Sequence, residues 1–323
     1  MGHFIKNIQN FSHTSNLFPR GAKIIIGVSG GPDSTCLVNV MAKIRNSYDL
    51  ELHIAHVNYG LRGADSEKDE DFVREIAQDL GIPVSVCRKD SLSGSNLENK
   101  LRDMRYKFFE EKRIEMDYDL IAVAHNMDDQ AETVLLRLFR GAGMLGMAAM
   151  RPKCGRIIRP LLETPRRDIL EFLSNKNITY RIDKSNENTE ITRNSIRREL
   201  IPLLEKRYNS SIKKTLCTNA RVIADDYIDL EDFFLKKSKK FTKKNKEGVW
   251  FNVNQLKNQS MAFQRYLMRR SIQTLKNSLM DITEGNIEEA LKVIHGGKHK
   301  KQKSIFKGLK IEKNGDTVKI SLI

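Results

Sequence analysis

Along the first half of the chain, short runs of apolar residues alternate with stretches in which apolar positions recur every three or four residues. The runs predict strands at KIIIGV (23–28), ELHIAHV (51–57), PVSVCR (83–88) and DLIAVAH (119–125). The helical spacing predicts helices near 35–46, 65–80 and 96–115. Strands separated by helices form βαβ units, so the expected fold is α/β: a Rossmann-like parallel sheet with helices on both faces. After Gly143 the pattern changes. MLGMAAMRPKCGRIIRPLL carries two prolines, two glycines and two short apolar runs, TPRRDILEFLSNKN opens an amphipathic helix, and RNSIRRELIPLLEKRYN reads as a helix interrupted at Pro202. A boundary is expected near residue 210, dividing the chain into domains over 1–210 and 211–323. The second is expected to be smaller, α+β and mainly helical: 212–241, 259–277 and 284–295 have helical patterns, and GLKIEKNGDTVKISLI predicts a hairpin turning at Asn314-Gly315.

A length of 323 residues has room for two such cores. Lys and Arg number 56 against 41 Asp and Glu, a formal charge of +15, which fits a polyanionic partner such as nucleic acid or, equally, a lysine-rich solvated surface. The charge concentrates in KKSKKFTKKNK (236–246), with seven lysines, and HGGKHKKQKSIFKGLK (295–310), with six, among them Lys298, Lys300 and Lys301. Cys36, Cys87, Cys154 and Cys217 lie far apart and form no CxxC pair, which argues against a zinc ribbon or a disulfide framework and for a reducing, cytoplasmic setting. The N-terminus has no long apolar segment, Lys6 breaks the myristoylation pattern, and no run reaches the ~18 apolar residues of a membrane span, so no membrane association is expected.

The densest chemistry follows the first predicted strand, in IIIGVSGGPDSTCLV (24–38). Strand, tight turn and helix succeed one another, and such a turn binds phosphate through backbone N–H groups and the positive helix end without needing a lysine. Gly30 and Gly31 allow close approach and positive φ; Ser29 and Ser34, flanking Pro32, can donate hydroxyls. Asp33 belongs among phosphates only if a divalent cation such as Mg²⁺ lies between them. The turn satisfies neither the Walker A nor the GxGxxG pattern. A plain turn with Ser or Asp as helix cap is the simpler alternative.

Further candidates stand at the ends of later strands. AHVNYGLRGADSEKDEDFV presents Asn58, Gly60, Leu61 and Arg62 where a nucleotide base would lie beside the phosphate turn, or simply in an ordinary exposed turn. AHNMDDQAETVLLRLFRGAG presents His125, then Asp128, Asp129 and Glu132 at a helix start, placed to hold Mg²⁺ or a cationic substrate, or simply to complement the helix dipole. NLENKLRDMRYKFFEE puts Arg102 and Arg105 on one helix face. YRIDKSNENTEITRNSIRRELIP gathers Asp183, Ser185, Asn186, Arg193, Asn194, Arg197 and Arg198 into a short polar loop and helix start.

The SGGxDS turn resembles the signature of the ATP pyrophosphatase, or PP-loop, superfamily. Together with AHVN(H)GLR, NLE…R..RY, AH(H)xDDQAETxLLRL.RGAG, RPLL and D.SN…RNxIR, all in order across residues 24–204, it resembles the tRNA(Ile)-lysidine synthetase family in its shorter, two-domain form. Tyr59 and Asn126 stand where that family usually has histidines, and Lys100 interrupts an alanine-rich helix. The resemblance implies a ligase that uses ATP and Mg²⁺ to join L-lysine to C2 of the wobble cytidine of a CAU isoleucine tRNA, through an O2-adenylated intermediate, and a homodimeric assembly. It implies phosphate contacts from Ser29, Gly30, Gly31, Pro32, Asp33 and Ser34, with Asp33 also on Mg²⁺. His56, Asn58 and His125 would contact nucleotide, Asp129 and Glu132 the lysine ammonium groups or the metal, and Arg105 the intermediate. Arg193 and Arg197 would contact nucleotide or tRNA, the C-terminal lysines RNA. Another PP-loop tRNA enzyme, a thiolase, and a catalytically silent RNA-binding relative remain as alternatives; scattered cysteines speak against the first, and the retained SGGxDS and DDQAET against the second.

Overall fold

The computed structural model describes residues 2–61, 63–89, 97–181, 191–279, 281–296 and 303–323. Two compact units part between Asp225 and Asp226.

The first unit opens with a helix the apolar pattern did not announce, α1 (Gly2–Thr14), whose Phe4 stacks on Phe172 with ring centroids 4.6 Å apart. The alternating segment follows as expected: β1 (Lys23–Gly27), α2 (Pro32–Tyr48), β2 (Glu51–Asn58), α3 (Ala64–Leu80), β3 (Val84–Arg88), α4 (Leu97–Glu115), β4 (Leu120–Ala122) and α5 (Met127–Phe139). α2 starts earlier than its apolar spacing indicated, because Gly31 caps it and Pro32 supplies a fixed φ suited to the first turn. The proline- and glycine-rich stretch holds α6 (Met144–Met147), β5 (Lys153–Cys154) and β6 (Ile157–Ile158), then α7 (Arg166–Asn175). Strand order is β3-β2-β1-β4-β6-β5, parallel throughout except for β5, which pairs antiparallel with β6. Alternation along β1 divides its isoleucines between two layers. Ile24 and Ile26 join the core beneath α2 and α7, while Ile25 joins Phe108 and Phe109 of α4 on the other face.

The chain remains helical through Pro202 rather than breaking there. α8 (Ile191–Ser195) passes into a π-helical turn over Ile196–Leu200 and then α9 (Ile201–Arg207). The wider turn lets Ile201 N–H reach the Ile196 carbonyl, one residue ahead of a proline that has no N–H to offer. α10 (Ile212–Ser238) follows, and the division between units falls inside it.

The second unit holds β7 (Thr242–Asn245), β8 (Gly248–Asn252), α11 (Val253–Lys257), α12 (Met261–Lys276), α13 (Glu284–His295), β9 (Lys303–Phe306), β10 (Leu309–Asn314) and β11 (Thr317–Leu322). Its antiparallel sheet runs β7-β8-β11-β10-β9, with Phe263, Leu267, Ile287, Leu291, Ile311 and Ile320 in the core. The predicted C-terminal hairpin is present: Asn314 pairs with Thr317 across Gly315 and Asp316. The lysine-rich run 236–246 enters the helix end and edge strand of this unit, a hairpin its composition gave no sign of.

Candidate functional site

β1 and β4 are sequence-distant neighbours in the sheet, and their carboxyl ends open onto two helix starts, those of α2 and α5. Open α/β sheets form their binding crevices where strand order reverses in this way. β1 itself must end in glycine: a Cβ on Gly27 would stand 2.6 Å from the Phe109 ring.

The turn over residues 29–34 is braced from within. Ser29 N–H donates to Ser34 Oγ at 3.1 Å, the two hydroxyls lie 3.1 Å apart, and Ser34 Oγ meets the Gly31 carbonyl at 3.1 Å. The Gly30 carbonyl accepts from Thr35 Oγ1 at 3.2 Å and from Arg181 N–H at 2.9 Å. Gly30 has φ +86°, a conformation L side chains seldom adopt; Gly31 has φ −71°, so the expectation of positive φ holds for the first glycine only. Gly31 caps α2 with no side-chain acceptor, so no cap side chain bonds the first-turn N–H groups of this helix.

Asp33 ties the two helix starts together. Its Oδ1 accepts from Asn126 Nδ2 at 3.0 Å and its Oδ2 from Arg166 Nη1 at 3.2 Å. Burial raises its pKa above the ordinary carboxylate range, while Arg166 and Asn126 pull it back. Asn126 also caps α5 reciprocally with Asp129: Asp129 N–H donates to Asn126 Oδ1 and Asn126 N–H to Asp129 Oδ2, both at 3.1 Å. The position that departs from the resembling family thus carries both a helix cap and the hold on Asp33.

On the next turn of α5, Glu132 is fully buried and receives two arginines. Arg193 Nε lies 2.8 Å from Oε2; Arg197 Nε and Nη2 lie 2.5 Å and 3.2 Å from the two oxygens. Both guanidinium groups also approach Asp129 Oδ1, at 3.6 and 3.4 Å. Burial, with Asp33 and Glu132 nearby, pushes Asp129 up to about 6. Asp128 faces away from this pair, meeting Arg166 N–H at 2.9 Å and Lys213 Nζ at 2.7 Å.

His125 precedes the cap, its Nδ1 3.3 Å from Arg159 Nε. Burial and then the charges of Arg159, Arg105 and Arg102 push it down to about 3, so it is a neutral imidazole. Arg105 itself lies 5.7 Å from the Tyr106 ring centroid. His56, under the turn, has Nδ1 2.8 Å from the Val28 carbonyl and a buried Nε2 without a partner among the described residues; burial lowers its pKa as well. Asn58 is committed within the protein, donating to the Ser66 carbonyl and Glu70 Oε2 and accepting from Gly60 N–H. Tyr59 donates to the Leu101 carbonyl at 3.1 Å, which fastens its loop to α4. Arg62, Asp183, Ser185, Asn186, Lys298, Lys300 and Lys301 lie outside the described residues.

Sequence reasoning passed over Arg166, which heads α7 and reaches Asp33 from 133 residues away, and Arg159. Arg159 stood in the RPLL motif without a role attached to it, and the only signal of Arg166 was the basic pair in ETPRR that follows. Among the described residues no three His, Cys, Asp or Glu side chains are grouped to hold a metal ion. Mg²⁺ characteristically takes one or two carboxylates and completes its shell with phosphate oxygens and water. Asp33 fits that mode as a single ligand beside the phosphate turn.

A PP-loop domain family matches residues 2–204. The tRNA(Ile)-lysidine synthase of Caldanaerobacter subterraneus subsp. tengcongensis is 35% identical over 288 residues, 86% of this chain and 61% of that protein. The tRNA(Ile)-lysidine synthase of Chlorobaculum tepidum is 39% identical over 235 residues, 71% of this chain and 69% of that protein. The chain therefore spans about three fifths of the length of the first of these relatives. In fold it is similar to the U34-tRNA thiolase NcsA from Methanococcus maripaludis, solved with its 4Fe-4S cluster, at TM-score 0.58 and 20% identity over 68% of this chain and 79% of that one. No helix among the described residues is long and apolar enough to cross a membrane.

Proposed function

Because the chain belongs to the tRNA(Ile)-lysidine synthase family of PP-loop proteins, we propose that it joins lysine to the wobble cytidine of a CAU isoleucine tRNA at the expense of ATP. The observation that carries the reading is the junction at Asp33, where the phosphate turn, the capped start of α5 and Arg166 converge at the carboxyl ends of β1 and β4.

Cytosine C2 carries a poor leaving group. Adenylation supplies a better one: O2 attacks the α-phosphorus of ATP, the bond to the bridging oxygen breaks, and pyrophosphate departs. The lysine ε-amine then attacks C2, the C2–O2 bond breaks, AMP leaves with that oxygen, and the nitrogen gives up a proton. The turn from Ser29 to Ser34 cradles the departing pyrophosphate with backbone N–H groups, and charge on it is favoured at the N-terminus of α2. Mg²⁺, when bound with the phosphates, neutralises their charge, and Asp33 is the residue to hold it. Asp129 receives an ammonium group of lysine, while Glu132, fully buried with both oxygens accepting from Arg193 and Arg197, holds those arginines beside it. Arg105, near His125, faces the adenylated intermediate. His56 and His125 act as neutral hydrogen-bonding partners of the nucleotide, since both are held below the ordinary histidine range. The C-terminal unit grips the RNA through its lysines.

The test is incubation with ATP, labelled lysine and the CAU isoleucine tRNA. Label should enter RNA, with one AMP and one pyrophosphate released for each lysine joined. Asp33→Ala should abolish pyrophosphate release that depends on lysine and tRNA; unchanged release would refute the assignment.

A further inference from the structure

The antiparallel sheet of the C-terminal unit has one covered face and one open face. Val249 and Phe251 of β8, Val318 and Ile320 of β11, and Leu309 and Ile311 of β10 point into the core shared with α12 and α13. The residues between them point the opposite way. Register aligns these into a single row across all five strands: Lys243 pairs with Trp250, Trp250 with Lys319, Lys319 with Glu312, and Glu312 with Lys303. Lys310 adds a further cation to the same face, beside Ile305, which is 57% exposed.

Two properties of this face are unlike ordinary solvated sheet. Its charge is lopsided, with Lys243, Lys319, Lys310 and Lys303 against Glu312, which meets Lys310, and Glu247, which approaches Lys319 at 3.6 Å. On β8, one strand in from the edge, stands the chain's only tryptophan, half-buried outside the core, with Lys319 Nζ 5.1 Å from the ring centroid. A flat ring bordered by cations matches the two parts of a single-stranded nucleic acid: a base to stack and phosphates to neutralise. Duplex RNA keeps its bases stacked inside, out of reach of the ring. The row from β7 to β9 crosses four strand spacings of about 4.8 Å, or about 19 Å, enough to follow several nucleotides.

We propose that the open face of the C-terminal sheet binds an unpaired stretch of the RNA substrate, one base stacking on Trp250 while Lys243, Lys319, Lys310 and Lys303 meet the phosphates. This deepens the reading of the chain as a tRNA-modifying enzyme and rests on it for the identity of the RNA.

Because Trp250 is the only tryptophan, its emission reports on this face alone. The full chain is titrated with decacytidine RNA, with a ten-base-pair RNA duplex, with sodium polyphosphate and with phosphatidylserine vesicles. Saturable quenching by decacytidine is expected, with weaker or no quenching by the others. Raising salt should weaken binding, and Lys243→Ala with Lys319→Ala should reduce the slope of log affinity against log salt by about 1.4, or ~0.7 for each phosphate no longer neutralised. By filter binding, Trp250→Ala should weaken decacytidine binding about 5- to 150-fold, and Trp250→Phe should restore most of it. Circular dichroism confirms the fold of each variant, and the quenching titrations of the parent chain carry the test if the alanine variant does not fold. Absence of quenching, equal quenching by duplex or polyphosphate, response to vesicles alone, or unaltered affinity when the ring is replaced by alanine in a folded protein would each overturn the proposal. Lysine incorporation is assayed alongside. Intact incorporation without quenching by decacytidine refutes this surface and leaves the enzyme reading standing; quenching without incorporation does the reverse.

Discussion

Replacing Glu132 tests whether the carboxylate centre of α5 is a structural keystone. The side chain is fully buried and accepts Nε of Arg193 at 2.8 Å and two N–H groups of Arg197. Glu132→Gln preserves the shape, but one carboxylate oxygen becomes an NH₂ that faces a guanidinium donor with nothing to accept. Each charge-assisted hydrogen bond to an ion contributes about 1.5–3 kcal/mol, and removal of one partner from a buried ion pair costs about 3–5 kcal/mol. Two features lower that figure. The Arg193 and Arg197 side chains are 31% and 42% exposed, so water partly resolvates them, and Asp129 Oδ1 stays within 3.6 and 3.4 Å as a second acceptor. A net loss of about 2–4 kcal/mol follows. For a unit of this size, 1 kcal/mol moves Tm by about 2–4 °C, so the expected fall is about 4–16 °C, read by far-UV circular dichroism on the whole chain. Removing the stranded charge as well, with Glu132→Gln and Arg197→Met together, should recover part of the loss. A Tm within about 2 °C of the parent for Glu132→Gln alone would show that the arginines are satisfied without it, and the reasoning would fail.

Further outcomes follow from single contacts. Gly27→Ala places a methyl 2.6 Å from the Phe109 ring, and overpacking of this kind costs about 1–3 kcal/mol; chemical denaturation should show that loss, and Phe109→Leu should relieve it. Glu70, buried and held by Arg88, Arg74 and Asn58, is depressed to about 2. A depressed acid contributes stability that is present above its unfolded value, 4.5, and lost as pH falls toward 2, so urea midpoints should drop between about pH 5 and pH 2 and do so less in Glu70→Gln. With Arg74 48% and Arg88 72% exposed, the contribution stays below roughly 3 kcal/mol. Asp129 lies at about 6, so lysine transfer should show an acidic limb near that pH as the carboxylate takes up its proton, and the residual activity of Asp129→Asn should lack it; an unchanged limb would assign the ionisation elsewhere.

The alternating runs and helical spacings were enough to place β1 to β4 and α2 to α4 within a few residues, because each depends on side chains adjacent in the chain or one turn apart. The phosphate turn was legible for the same reason: Ser29, Gly31 and Ser34 hydrogen-bond among themselves, and Gly30 with Thr35, over at most five positions. What tertiary structure decided lies at longer range. Asp33 meets Asn126 and Arg166 across 93 and 133 residues, and Glu132 meets Arg193 and Arg197 across 61 and 65. The Asp33–Asn126 pairing exists because β1 and β4 are neighbours in the sheet, and the Glu132 pairings because α8 and the π-helical turn pack against α5, relations no local period encodes. In the lysine-rich run 236–246, charge concealed a hairpin, since a strand at a sheet edge needs only one buried face and β7 buries little of itself. Sequence alone thus determined the alternating elements of the first half and the chemistry they could carry. Which carboxylate faces which arginine, and which face of the last sheet stays open to solvent, became definite only when the strands took their order.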